Sequence, residues 1–344
     1  MPPRLLLYNP ENDLALAGGL ERFTAPKAGR VMAEAGALLP LWWAEEGDEI
    51  LADVSHESAA RRLRERFGLC GSLGYRSAVV AEPWGWSAYA RRKCLDAGMP
   101  APLLPSVEAV ERWRMLSHRR SSIRLLEIAG TEPELLPVEA PDVATALDAV
   151  SRFGRAVVKL PWSCSGRGVF FSRSLRPDEL RRRLEGSIRR QGSVIVEPEY
   201  ERVAEMAALF HAGEVGVEFR GMSMFRCDGR GAYGGNIVAP QEVTAGLCGV
   251  DAVETAHRMA ASLDALLCGS YRGWLGVDML RHRAGLCPCM ELNLRMTMGV
   301  VAMKVADRLP RGTVSVVAGA APAGAIDLSP TGAPLRIVWR PEAP

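Results

Sequence analysis

Short apolar runs alternate with amphipathic stretches over the first hundred residues. Leu5 to Tyr8 form a continuous apolar run, and the turn-forming residues Asn9 to Asp13 precede a helical stretch from Leu14 to Phe23. Further elements are predicted as a helix at 58–67, a strand at 77–81 and a helix at 87–97. Because strands and helices alternate, this segment predicts an α/β lobe built on a parallel sheet.

The pattern changes after residue 102. Residues 103–141 are rich in Pro, Ser and Arg, which is typical of a connector, and one helix is predicted there, at 106–116. The later elements are predicted as helices at 143–153, 177–191 and 250–268, strands at 156–160, 194–197, 205–211 and 215–224, and an antiparallel hairpin at 274–294. We therefore expect an N-terminal lobe (1–115), a connector (116–140), two α+β units (141–200 and 201–312) and a C-terminal extension (313–344).

Composition restricts the class of protein. The 344 residues carry 42 basic and 40 acidic side chains, a net charge of +2, which argues against nucleic acid or an anionic membrane as a partner. Eight cysteines without a C-x-x-C pair favour a reducing, cytoplasmic environment. No apolar stretch reaches the roughly 18 residues of a membrane span, and no signal-peptide core is present. The oligomeric state stays open.

The predicted hairpin carries a polar stripe. Residues two apart in a strand share a face, so Glu291, Asn293 and Arg295 face one way and the leucines between them face the core. A hairpin centred between residues 284 and 285 pairs Asp278 with Glu291. Opposed carboxylates repel unless a cation lies between them, and two carboxylates plus an amide oxygen suit Mg²⁺ or Mn²⁺. The hairpin thus predicts a metal that binds nucleotide phosphates.

Two other segments have features of a nucleotide site. Lys159 ends a buried strand beside a loop of small residues, and such a lysine can contact phosphates while the loop amides cradle them. The loop residues are Ser163, Ser165, Gly166, Arg167 and Gly168. A second strand runs into Glu197, Pro198, Glu199 and Tyr200, with Glu205 on the next strand; such a link can offer backbone groups to an adenine and a carboxylate to a ribose.

Each pattern taken alone has a plainer interpretation. Arg281, Arg283 and Arg295 can screen the hairpin carboxylates at a solvated surface. Lys159 can be a surface lysine, and the Glu197 segment an ordinary strand exit.

In order and spacing, these segments together resemble the ATP-grasp superfamily over roughly residues 87–303. The most specific part is Glu-x-Asn-x-Arg at 291–295 after Gly-Val-Asp-Met at 276–279. The resemblance implies two α+β subdomains, 141–200 and 201–312, that grip ATP, preceded by a parallel-sheet lobe. It implies an ATP- and Mg²⁺-dependent ligase that joins a carboxylate to an amine through an acyl phosphate, with an amino acid or peptide as substrate. A kinase of the same fold and a non-catalytic ATP-binding module remain alternatives.

The resemblance also implies roles for individual residues. Lys159 and the glycine loop would bind the ATP phosphates, residues 197–200 the adenine and Glu205 the ribose. Asp278, Glu291 and Asn293 would hold the metal. Arg295 would contact the transferring phosphate or the substrate carboxylate, and Arg295 or Arg220 would stabilise the tetrahedral intermediate.

Two assignments depend on how this chain departs from its relatives. Many relatives carry a lysine at the start of the helix before a Gly-x-Pro motif; if Gly98-Met99-Pro100 is that motif, Ser87 replaces the lysine. Arg91 is then the predicted second phosphate cation, and Arg119 a weaker candidate. The substrate is expected to face the loop of Asn9 and Asn12 and a second loop that carries Tyr233 and Asn236.

Overall fold

The N-terminal lobe is built on a four-stranded parallel sheet of strand order β3-β2-β1-β4 in the computed structural model, which describes residues 2–163, 168–227 and 233–342. The strands are β1 (Arg4–Leu7), β2 (Glu49–Ile50), β3 (Ser72–Leu73) and β4 (Val80–Pro83), and the helices are α1 (Asn12–Gly18), α2 (Lys27–Ala35), α3 (Glu57–Phe67) and α4 (Ala88–Asp96). The predicted parallel α/β lobe is confirmed.

Two predicted boundaries in this lobe are wrong for local reasons. Helix α1 stops at Gly18 and not at Phe23, because Gly19 adopts a left-handed conformation (φ 63°) and its N–H bonds back to the Ala15 carbonyl. Strand β4 starts three residues later than predicted. The backbone N–H groups of Ser77 and Ala78 donate to the carboxylate of Glu49, which holds them out of the sheet.

The connector contains two helices, α5 (Val107–Leu116) and α6 (Arg120–Ile128), of which only α5 was predicted. Helix α6 was not predicted because two of its four buried residues are polar: its buried face combines Ser121 and Ser122 with Leu125 and Leu126. The serines are buried because α6 packs on the hairpin, where Ser122 Oγ accepts a 2.9 Å hydrogen bond from the Leu292 N–H.

The middle unit is an antiparallel sheet of order β5-β8-β6-β7 with two helices on it. Its elements are β5 (Val138–Ala140), α7 (Val143–Phe153), β6 (Ala156–Lys159), β7 (Val169–Phe171), α8 (Pro177–Gln191) and β8 (Val194–Pro198). The predicted bounds of both helices are confirmed. Buried alanine, valine, leucine and phenylalanine side chains from sheet and helices form its core.

The third unit is an eight-stranded sheet of order β13-β12-β9-β10-β11-β14-β16-β15. Its strands are β9 (Arg202–Ala212), β10 (Val217–Cys227), β11 (Tyr233–Val238), β12 (Gly273–His282), β13 (Gly285–Asn293), β14 (Gly312–Ala318), β15 (Ile326–Asp327) and β16 (Leu335–Pro341); its helices are α9 (Gln241–Cys248), α10 (Val250–Leu267) and α11 (Met298–Ala306). Residues 313–344, expected as an extension, thus contribute strands to this sheet.

The predicted pairing of Asp278 with Glu291 is confirmed in the β12–β13 register. The hairpin reaches it through a bulge, because Leu280 pairs with Cys287 and the single residue Met279 therefore faces three residues of β13. One of the three is Pro288, which has no N–H to give to a strand ladder. The bulge brings both carboxylates opposite each other.

The N-terminal lobe and the large sheet share one hydrophobic core, which includes Leu6 and Trp84 from the lobe and Leu209 and Val300 from the sheet unit. At its edge Gly85 forms a β-bridge with Arg295, and the Met296 N–H donates to the Trp84 carbonyl over 2.8 Å. The carboxyl ends of β1 and β4 therefore lie against the residues that follow β13. Within the described segments, no helix combines the length and apolar character needed to cross a bilayer.

Candidate active site

Three oxygen-bearing side chains meet on one face of the hairpin. Asp278 lies opposite Glu291, and Asn293 Nδ2 donates to Asp278 Oδ2 over 3.2 Å. Leu292 and Leu294 point to the other face and are buried in the core below. Burial, together with the nearby charge of Glu291, raises the pKa of Asp278 to about 7. A cation between the two carboxylates would relieve this repulsion.

This donor set fits Mg²⁺ or Mn²⁺. It consists only of carboxylate and amide oxygens, which hard divalent cations prefer. Among the described residues, no cluster of three or more His, Cys, Asp or Glu side chains forms a metal site elsewhere. Two carboxylates and an amide leave coordination positions for phosphate oxygens and water, as is usual for nucleotide-bound Mg²⁺.

Arg119 is a buried cation beside this face of the hairpin. It lies at the start of α6 and is almost fully buried. Its Nη2 donates to Glu291 Oε1 over 2.6 Å, and its Nη1 donates to the Leu160 carbonyl (2.5 Å) and to Ser163 Oγ (2.7 Å). Although burial of Glu291 raises the pKa of its carboxyl, the charges of Arg119 and Lys159 together hold that pKa below its ordinary range. Arg119 thus joins the strand exit after β6 to the face that bears Asp278, Glu291 and Asn293.

Lys159 is another buried cation beside the same face. It ends β6 with its side chain 10% exposed, and its Nζ lies 2.6 Å from Glu197 Oε1, which is 5% exposed. The same ammonium donates to the Met290 carbonyl on β13 over 3.2 Å. Lys159 therefore spans the gap between the middle unit and the hairpin, one residue from Glu291.

The glycine loop is described only at its two ends. Ser163 accepts from Arg119, and the Gly168 carbonyl accepts a 3.0 Å hydrogen bond from the Leu160 N–H. Gly168 has φ 75°, and a Cβ there would lie 2.6 Å from Leu160 Cδ1, so only glycine fits. Ser165, Gly166 and Arg167 lie outside the described residues.

A cavity of about 90 Å³ lies beside Glu197. The link residues Pro198 and Tyr200 line it together with side chains from α6, from the segment that follows α6 and from the hairpin, among them Leu126, Leu286 and Met290. The ring of Tyr200 stacks on His282 with centroids 4.5 Å apart. Glu199 is engaged elsewhere, since it accepts from Arg155 and Arg173. The mostly apolar lining suits a flat heterocycle.

Arg295 connects the hairpin with the N-terminal lobe. Its Nε and Nη2 donate hydrogen bonds of 3.0 and 2.8 Å to the Asp13 carboxylate. Nη2 also donates to Asn293 Oδ1 over 2.9 Å. The sequence places Asp13 among the turn-forming residues before the first helix, with no assigned role. Sequence gives no signal for this contact, because 282 positions separate the two residues.

The loop of Asn9 and Asn12 lies beside this ion pair and is itself buried. Asn9 Nδ2 donates to the Gly85 carbonyl over 2.9 Å. Asn12 lines a small hollow with Asp13, Glu291 and Arg295, and its buried Nδ2 has no hydrogen-bond partner among the described residues. The loop that follows β1 therefore reaches the face that bears Glu291, and Asn12 presents an amide there.

Four other candidate residues lie outside this cluster. Arg91 donates to the Pro105 carbonyl, and Glu205 on β9 pairs with Arg202. Arg220 pairs with Glu218 at 2.6 Å and lines a separate cleft, together with Trp274. Asn236 is buried and donates to Ser223 Oγ. Tyr233 begins β11, but its side chain is not among those described.

A sequence signal for Arg119 does exist. Arg119 directly precedes α6, and α6 is the helix that leads into the middle unit and ends before Gly130, which has φ 78°. The Gly-x-Pro motif at Gly98 follows α4 instead. The position of Arg119 before α6 makes it a candidate for the second phosphate cation.

Comparisons with known proteins bear on the fold. No family model matches the chain, and no curated protein matches it. Solved structures do match it over nearly its whole length. N5-carboxyaminoimidazole ribonucleotide synthetase from Thermus thermophilus is 16% identical with a TM-score of 0.54, and the match covers 99% of this chain and 94% of that one. Such neighbours are ATP-grasp enzymes. The chain has the ATP-grasp fold.

Two further structures with this fold were solved with ligands. The N5-carboxyaminoimidazole synthase from Aspergillus clavatus, in complex with ADP and 5-aminoimidazole ribonucleotide, is 13% identical with a TM-score of 0.53 over 99% of this chain and 94% of that one. The biotin carboxylase domain of 2-oxoglutarate carboxylase from Hydrogenobacter thermophilus, in complex with MgADP, ADP and bicarbonate, is 14% identical with a TM-score of 0.52 over 100% and 87%.

Proposed function

We propose that this protein is an ATP- and Mg²⁺-dependent ligase that joins a carboxylate to an amine and forms ADP. The observation that carries the proposal is the convergence of Lys159 and Arg119 on the face that bears Asp278, Glu291 and Asn293. Two cations beside an all-oxygen donor set suit a nucleotide polyphosphate with its metal. The ATP-grasp fold and the MgADP and bicarbonate in the Hydrogenobacter thermophilus structure support it.

Each part of the site has a task in this chemistry. The substrate carboxylate attacks the γ-phosphorus, its bond to ADP breaks, and an acyl phosphate forms. The amine then attacks the acyl carbon, inorganic phosphate leaves, and the nitrogen loses a proton. Bound Mg²⁺ supplies charge neutralisation at the phosphates. Lys159 and Arg119 hold phosphate oxygens, and the cavity beside Glu197 and Tyr200 receives the adenine.

The Glu291→Gln variant tests the proposal. The amide keeps the size of the side chain and can accept from Arg119, but it removes a charged metal ligand, so ADP formation should fall to background. The assay supplies ATP, Mg²⁺ and a pool of amino acids and dipeptides, and reads ADP release and new product masses together. An Asp251→Asn variant, changed on the exposed surface, is the control. If Glu291→Gln still formed ADP at the wild-type rate, the proposal would fail.

The kinase alternative is separated by hydroxylamine. An acyl phosphate reacts with it to give a hydroxamate, whereas a phosphorylated hydroxyl group does not. The lack of a lysine at Ser87 keeps the non-catalytic alternative open, and the proposed role of Arg119 as a second phosphate cation counts against it. The non-catalytic alternative would be supported if ADP bound tightly and no substrate pool led to the conversion of ATP to ADP.

A further inference from the structure

An unbroken series of hydrogen bonds links the Asp13–Arg295 ion pair to the face that bears Asp278, Glu291 and Asn293. Asp13 in the first turn of α1 accepts from Arg295, Arg295 Nη2 donates to Asn293 Oδ1, and Asn293 Nδ2 donates to Asp278 Oδ2. The Asp13 and Arg295 side chains are 14% and 18% exposed. A single residue, Arg295, therefore separates a carboxylate of the N-terminal lobe from the proposed metal ligand Asn293.

The donors of Arg295 are almost fully used by these contacts. A guanidinium has five N–H groups. Nε and one hydrogen of Nη2 go to Asp13, the second hydrogen of Nη2 goes to Asn293, and Nη1 donates to the Met296 carbonyl over 3.1 Å. A substrate carboxylate would have to displace Asp13 to bind Arg295 bidentately. The geometry therefore suits Arg295 for holding Asn293 better than for binding substrate.

Charge makes Asp13 necessary in this arrangement. Without its carboxylate, the charge of the buried guanidinium would be balanced by Glu291 and Asp278, which are proposed metal ligands, and it would repel a divalent cation bound there. With the carboxylate in place, Arg295 can orient the amide without opposing the metal. Partners one step removed from the metal commonly set ligand orientation in this way.

We propose that Asp13 is a positioning residue that sets the affinity of the hairpin for its metal by neutralising Arg295 and fixing Asn293. The inference rests on the proposed function, because it assumes that the Asp278 face binds the metal–nucleotide complex. It gives the N-terminal lobe a direct part in metal binding, although the expected metal ligands all lie on β12 and β13.

The test is Mn²⁺ binding, measured by the loss of the free Mn²⁺ electron paramagnetic resonance signal in the presence of ADP. Asp13→Asn should weaken Mn²⁺ binding by about tenfold or more. Asp13→Glu, which keeps the charge, should bind Mn²⁺ more tightly than Asp13→Asn does. The control is Asp251→Asn, which removes another bidentate partner of an arginine on β12, Arg281, and should bind Mn²⁺ as the wild type does.

Each outcome decides the inference. If folded Asp13→Asn binds Mn²⁺ within twofold of the wild type, with only its thermal stability lowered, Asp13 has a merely structural role and the inference is overturned. If Asp13→Asn does not fold, the Asp13→Asn/Arg295→Gln variant replaces it. No guanidinium then opposes the metal, so Mn²⁺ affinity should fall only through the loss of Asn293 orientation, by less than the tenfold expected of Asp13→Asn, and wild-type affinity would overturn the inference. If the wild type binds neither Mn²⁺ nor ADP, the proposed function fails first.

Discussion

Arg119 Nη2 donates a 2.6 Å hydrogen bond to Glu291 Oε1, and 172 positions of sequence separate the two residues. Lys159 makes a second close ion pair with Glu197 at the same site. The two cations proposed to hold phosphates are thus each paired with a carboxylate. We expect the phosphate oxygens of a metal–nucleotide complex to compete with these carboxylates for Arg119 and Lys159.

The first prediction concerns the identity of the second phosphate cation. Arg119→Met should weaken the binding of MgADP by about tenfold or more, because a charge-assisted hydrogen bond contributes about 1.5–3 kcal/mol. Isothermal titration calorimetry measures the dissociation constant. Arg91→Met is the matched control, since Arg91 donates to the Pro105 carbonyl. Equal losses in both variants, or a loss in Arg91→Met alone, would return the role to Arg91.

The second prediction concerns the buried pair of Lys159 and Glu197. Lys159→Met leaves Glu197 buried without its cation, so the free energy of unfolding should fall by about 3 kcal/mol. Lys159→Met/Glu197→Gln removes both charges and should recover most of that loss. Both variants should bind MgADP about tenfold more weakly or worse, because neither has the ammonium.

Urea denaturation gives the free energies of unfolding for this pair of variants, and calorimetry gives the nucleotide affinity. The combination separates folding from binding, since stability should return in the double variant and affinity should not. Wild-type affinity for MgADP in the double variant would exclude Lys159 from phosphate binding.

The hairpin could be predicted from sequence because its information is local. Alternation over Glu291, Asn293 and Arg295 gives the face. The pairing of Asp278 with Glu291 is predicted from a turn centred between residues 284 and 285, whereas the turn is centred one residue earlier and the bulge produces the predicted pairing. Arg119 was ranked below Arg91 because α6 buries two serines and carries arginines, so its apolar face is narrow. Asp13 had no local signal at all. Its role arises only where the lobe core brings α1 to the end of β13.

The third prediction concerns the close approach at Gly85, which forms a bridge with Arg295. A Cβ at this position would lie 2.5 Å from Asn12 Nδ2 and 3.1 Å from Arg295 Cβ. Gly85→Ala should therefore lower the free energy of unfolding by about 1–3 kcal/mol through overpacking. Gly85→Ala/Asn12→Ala, which removes the nearer atom, should recover part of the loss. Gly186→Ala is the control, because a Cβ there meets nothing within 4 Å.

The last prediction concerns acid stability and His118. Burial, together with the charge of Arg120, lowers the pKa of this imidazole from 6.5 to about 4. Its Nδ1 accepts a 3.0 Å hydrogen bond from the Arg120 N–H, and its ring packs edge-on against Trp162 at 4.6 Å. The folded protein thus holds the neutral ring, whereas the unfolded chain takes up a proton near pH 6.5. This contribution to stability is complete above pH 6.5 and is lost as the pH falls toward 4.

His118 should therefore account for a loss of at most about 3 kcal/mol of unfolding free energy between pH 6.5 and 4. His118→Gln, which has no titrating group, should lose less stability over that interval, even if it is less stable at pH 7. Urea denaturation at half-unit pH steps measures both curves. The exposed His257→Gln is the control and should follow the wild type. Parallel curves for wild type and His118→Gln would mean that other groups cause the acid sensitivity.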